Sequence, residues 1–145
     1  MPPKTETGKN FTDDEREAMK NRLAEAKRAK AGASAAAEAA ICMEKIAEMP
    51  PADRKIAEKV HEIVTSAAPE LAVKTWYGMP AYAKNGKVVV FFKPAEKFKS
   101  RYCTLGFEDA AQVDDGTFWA TSYAITGIGA AEEKKIRELV KKAVS

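Results

Sequence analysis

The sequence holds one histidine, His61, and only two cysteines in 145 residues. That scarcity excludes several classes of site. A structural zinc centre draws on four Cys or His ligands, usually from paired CxxC elements, and no CxxC occurs. His61 has no HxxxH or HxxE pattern around it, so nothing nearby in sequence supports a metal or catalytic role, and the plain reading is a partly exposed helical histidine. Cys42 falls in a predicted helix and Cys103 in a predicted strand. Both read as small buried hydrophobes kept as thiols by a reducing compartment. No apolar run approaches the ~20 residues that cross a bilayer, and the N-terminus has no signal-peptide core. The expected location is therefore cytoplasmic, with no membrane partner.

No Gly-x-Ser-x-Gly elbow is present, and Gly127-Ile128-Gly129 is too short for a nucleotide loop and follows a strand read as antiparallel. No pair of carboxylates stands out for acid–base work. The expectation leans towards a non-enzymatic protein with no cofactor. A net charge of +3 is too small to name a partner.

A chain of this length forms about one domain and buries roughly two thirds of its unfolded surface. Residues 1–34 read as an N-terminal extension, disordered over 1–10 and then a charged helix over 13–30, started by a Thr12/Glu15 capping box. The apolar face of this helix is thin (Ala18, Met19, Leu23 and Ala26), so it is expected to lie loosely on the domain or project from it. Residues 1–34 carry eight Lys/Arg against six Asp/Glu, too even a mixture for a nucleic-acid arm.

Residues 35–145 read as the folded domain. Helices are predicted over 35–48 and 51–67, separated by Met49-Pro50-Pro51. The second is the main core helix, because Ile56, Val60, Ile63, Val64 and Ala67 make one apolar stripe. From residue 71 the pattern turns to strands: 73–77, 81–83, 88–92, 102–107 and 118–126. Gly78 and Pro80 are expected to bend the first strand, and Pro80 to sit at a turn, an edge or a bulge. Asn85-Gly86 marks a hairpin. The uninterrupted run 88–92 suggests a central strand covered on both faces, or nearly so. A last amphipathic helix spans 130–144. The fold class is α+β, with N-terminal helices, an antiparallel β-meander of about four or five strands, and a C-terminal helix packed on the sheet.

Several stretches carry a resemblance: Ala67-Ala68-Pro69, Tyr77-Gly78-Met79-Pro80-Ala81-Tyr82, Asn85-Gly86-Lys87 and the strand ending in Phe91-Phe92. Over roughly residues 38–145, and including the ending from Phe118 to Lys142, the chain resembles the YdhG-like domain family. Its members are mostly uncharacterised and are grouped with CyaY/frataxin-like folds. The resemblance implies a compact α+β domain with a curved antiparallel sheet. It also implies, as an alternative, an iron-chaperone role. It carries over no catalytic residue.

Two surfaces remain as candidates. Trp76, Tyr77, Met79 and Tyr82 cluster around the Gly-Met-Pro turn. Lys84, Lys87, Lys93, Lys97, Lys99 and Arg101 follow within 18 residues, opposed only by Glu96. Aromatics beside cations stack planar groups and hold anions. The expected site is a pocket of Trp76, Tyr77, Met79 and Tyr82 rimmed by Lys93, Lys97 and Arg101, taking a small anionic or planar molecule or a protein segment. The plainer reading makes these aromatics core packing and the lysines a solvated rim. For iron, the only dense acidic group is Glu108, Asp109, Asp114 and Asp115 on a loop, and an exposed acidic loop is its plain reading. Nucleic-acid binding through the basic strip 84–101 is a further, less favoured, alternative. A monomer or a weak dimer is expected.

Overall fold

A computed structural model describes residues 12–145. The expectation of disorder over 1–10 concerns residues outside that range. Three helices come first: α1 (Asp13–Lys30), α2 (Ala35–Ala47) and α3 (Pro51–Ala67). Five strands follow: β1 (Ala72–Trp76), β2 (Met79–Lys84), β3 (Lys87–Lys93), β4 (Cys103–Phe107) and β5 (Ser122–Ile125). The last element is α4 (Ala130–Ala143). Every strand pairs antiparallel with the next, in the order β1-β2-β3-β4-β5. The α+β meander read from the sequence is thus the observed architecture. Among the described residues no helix is long and apolar enough to cross a membrane.

Local chemistry sets the element ends. The Thr12 hydroxyl accepts from Glu15 N, and the Glu15 carboxylate accepts from Thr12 N at 2.8 Å, which closes the expected capping box. Ser34 caps α2 by accepting from Ala37 N. Pro51 opens α3, where its missing N–H costs nothing. Asn85 and Gly86 have φ of 53° and 79° and join Lys84 to its partner Lys87, the two-residue turn that Asn-Gly signals.

The core lies between one face of the sheet and the helices. Val60, Ile63 and Val64 of α3 and Ile136 and Val140 of α4 meet Tyr82, Val90, Phe92, Leu105 and Ile125. The run Val88–Phe92 proves to be central but not covered on both faces. Tyr82 pairs with Val90 and Ala83 with Val88, which leaves Val89 as the extra residue of a bulge. The bulge turns both Val89 and Val90 into the core, while Phe91 stays half-exposed on the other face. The apolar run therefore reflects a bulge, not a second covering layer.

Two further expectations change. The strand predicted over 118–126 spans only Ser122–Ile125. Phe107 N donates to Thr121 O, and β4 then ends as Glu108 N turns back to Val89 O. Residues 117–120 consequently have no strand to pair with. Gly78 and Pro80 do not bend one strand. Tyr77 and Gly78, with φ of 54° and 79°, form a two-residue hairpin turn that brings Trp76 opposite Met79. Pro80 lies inside β2 opposite Thr75. It has no N–H to give β3, and the β2–β3 ladder starts one residue later at Ala81 and Phe91.

Helix α1 docks through a stripe that hydrophobic periodicity does not reveal. Asp14, Ala18, Asn21, Arg22, Glu25 and Arg28 face the protein, while Met19 and Leu23 stay exposed. Glu25 is only 5% exposed, and its carboxylate accepts Tyr77 N and Gly78 N, each at 2.8 Å. Arg28 donates to Thr75 and pairs with Glu38 of α2, and Lys45 of α2 donates to Asn21. A side chain at Gly78 would collide with Asn21, so the glycine serves both the turn and the close passage of α1.

Candidate functional site

The candidate site lies on the sheet face turned away from α3 and α4. Side chains alternate along a strand, so pairing fixes which residues share that face. Trp76 pairs with Met79, Lys74 with Ala81, Ala81 with Phe91, Phe91 with Gly106, and Gly106 with Ser122. A hollow of about 440 Å³ opens here, with Trp76, Tyr77, Met79, Phe91, Lys93 and Phe98 around it and Ala18 of α1, Thr104 and Ser122 at its border.

Aromatic contacts hold its shape. The Trp76 and Phe91 rings meet edge to face with centroids 5.3 Å apart, and Trp76 meets Tyr77 in the same manner at 5.3 Å. The Phe91 ring lies over Gly106, where a Cβ would strike it. Lys93 Nζ stands 5.0 Å from the Phe98 ring centre and Lys97 Nζ 6.0 Å from it. Among the described residues no acidic side chain pairs with Lys93, whereas Lys97 is drawn to Glu17 of α1 at 3.7 Å. The hollow therefore offers ring surface beside an ammonium that no carboxylate of the described residues neutralises.

Of the residues expected from sequence, Trp76, Tyr77, Met79 and Lys93 come together here. Lys97 stands 6.0 Å from the Phe98 ring centre, pairs with Glu17 and does not line the hollow. Arg101 leaves the group and lies over Tyr102 at 5.3 Å. Tyr82 does not belong to the hollow. It is 1% exposed on the opposite face, with its hydroxyl 2.9 Å from His61 Nδ1. Burial holds the Tyr82 hydroxyl well above its usual range and pulls His61 below the usual imidazole range. His61 thus partners a core hydroxyl.

Sequence reasoning missed Phe91, Phe98, Thr104 and Ser122. A signal existed for Phe91, since consecutive phenylalanines in a strand must point to opposite faces.

No family model, no curated protein and no solved structure matches this chain.

Other candidate chemistry is dispersed. Among the described residues no three His, Cys, Asp or Glu side chains are placed to hold a metal ion, and Glu108, Asp109, Asp114 and Asp115 form no such group. The basic strip is split. Lys84 and Lys87 flank the Asn85-Gly86 turn, while Lys93 closes the other end of β3, roughly 20 Å away at ~3.4 Å per residue. Both cysteines are free and buried. Burial pushes the Cys42 thiol up to about 12 and the Cys103 thiol up to about 11. Asp53, itself buried, accepts Glu96 N at 2.8 Å and the Cys103 thiol at 3.5 Å, and so ties the 94–100 loop that carries Phe98 to the start of α3.

Proposed function

We propose that this chain is a non-enzymatic binding domain that takes a planar, anionic ligand in the hollow over β1–β4. The observation that carries the reading is the Lys93 ammonium beside the Phe98 face, without an acidic partner among the described residues, next to the Trp76–Phe91 pair. A flat ring would lie on the aromatic surface while its anionic group meets Lys93. The likeness to YdhG-like domains belongs to this proposal as a kinship of fold and rests on the same Tyr77-to-Tyr82 motif.

Magnitudes set the assay. One stacking contact contributes about 1–3 kcal/mol, and one exposed charge contact adds up to about 1 kcal/mol. A fragment would therefore bind with a Kd on the order of 1 mM or weaker. Amide-resolved NMR titration to several millimolar covers that range. Adenosine monophosphate supplies both ring and charge, adenosine only the ring, and inorganic phosphate only the charge. The expected result is shifts at Trp76, Phe91 and Lys93 that are largest for adenosine monophosphate, with Lys93→Gln weakening that nucleotide and leaving adenosine unchanged. Shifts confined to α1, or none at these residues, would sink the reading.

A further inference from the structure

Residues 116–131, from Gly116 to Ala131, contain no charged side chain, the longest such stretch in a chain that is 31% charged. An uncharged stretch usually fills a core, but this one lies on the surface. Residues 116–122, 124, 126 and 127 are all exposed, and Phe118 is 93% exposed. The stretch contains β5, an outer strand of the sheet.

The two sheet edges are treated differently. Monomeric proteins protect an edge strand with lysine, proline, a bulge or a covering element. Edge strand β1 carries Lys74, with Arg28 of α1 bonded to its Thr75 and α2 packed close against it. Edge strand β5, Ser122-Tyr123-Ala124-Ile125, has no charge, no proline and no bulge. Beside it a groove of about 310 Å³ runs to α4, lined by Leu105, Tyr123, Ile125, Ile136 and Leu139.

We propose that β5 is a self-pairing edge, through which two copies of this chain join antiparallel about a two-fold axis into one ten-stranded sheet. An extended strand is the occupant because the free edge presents alternating backbone donors and acceptors. A second copy is the occupant on grounds of charge. Around a two-fold axis each residue meets itself or a near neighbour, so a charge at the contact would face its like. The uncharged stretch removes that repulsion, and it gives a charged peptide nothing to recognise. The charges at the groove rim, Glu132 and Lys135, have opposite signs, so the rim is self-complementary too. Phe118, with on the order of 200 Å² to bury, and half-exposed Tyr123 supply apolar area at the contact. Four paired residues and this area make a small interface of the weak, transient class.

Sedimentation equilibrium of the full chain from roughly 1 μM to several hundred μM tests the proposal over the range where such interfaces associate. The expected result is a reversible monomer–dimer equilibrium. Ala124→Lys and Ala124→Glu, at an exposed position on β5, should each weaken the dimer by at least about tenfold, and an equimolar mixture should associate again because opposite charges then face each other. Circular dichroism shows whether each variant keeps its fold, and Ser122→Lys with Ser122→Glu supplies a second pair. A wild-type chain that stays monomeric throughout the range overturns the proposal. So does a dimer indifferent to these charges, or open-ended assembly.

Discussion

Replacing Glu25 with alanine removes the acceptor for two backbone donors of the Tyr77-Gly78 turn. A hydrogen bond to a charged group contributes about 1.5–3 kcal/mol. The two bonds are not equivalent. Gly78 is buried, so its N–H finds no water once the carboxylate is gone, and the whole contribution is lost. Tyr77 is 37% exposed, and water recovers most of its bond. Counting the second at about a third gives a loss of roughly 2–4 kcal/mol. For a chain of this size that lowers Tm by roughly 6–12 °C. The matched control is Leu23→Ala. Leu23 is 73% exposed, so its truncation should stay within about 0.5 kcal/mol. Urea unfolding of both variants, with m-values compared, measures the difference, and amide exchange at Gly78 shows whether the turn has lost its cover. An apolar stripe of Ala18, Met19, Leu23 and Ala26 demands the opposite order. If Leu23→Ala costs more than Glu25→Ala, α1 docks through its apolar stripe and the polar docking described above is wrong.

Three other perturbations follow from the geometry. Gly106→Ala should destabilise by about 1 kcal/mol by displacing the Phe91 ring, and should alter Trp76 emission in a Trp119→Phe background; Phe91→Leu should recover most of that loss, and additive effects in the double-mutant cycle would contradict the contact. Both thiols are buried and held at about 11 or above, so a thiol reagent at pH 7–8 should label neither Cys42 nor Cys103 until urea unfolds the chain, and rapid native labelling would refute their placement. Burial lowers the His61 pKa, so between pH 7 and 5 the unfolded chain binds more protons at this site than the folded one. Stability should therefore fall as pH drops below about 6.5, by at most about 1.4 kcal/mol per unit from this residue, and His61→Gln should flatten that slope.

Most of the architecture was legible in the sequence because it is written in local signals. Asn85-Gly86, the Thr12/Glu15 box, Pro51 and the α3 stripe each act within a few residues, and each sits where its chemistry placed it. The docking of α1 was not legible, because periodicity weighs apolar residues and this helix is held by Glu25, Asn21 and Arg28. A buried glutamate is rare, and its partners lie about fifty residues downstream. The site was half legible, and the misplacement of Tyr82 traces to one residue, Tyr77. With the turn at Tyr77-Gly78, Trp76 faces Met79, and Tyr82, three residues beyond Met79, must face the other way. A bend spread over Gly78 to Pro80 lets no such parity pass from one strand to the next, so Trp76 and Tyr82 look like neighbours. Tyrosine seldom occupies a left-handed turn position, which is why the dipeptide gave no turn signal. Here Glu25 supports it by holding the Tyr77 N–H. The side chain that docks α1 therefore also fixes the turn, and the turn decides which aromatic reaches the hollow and which fills the core.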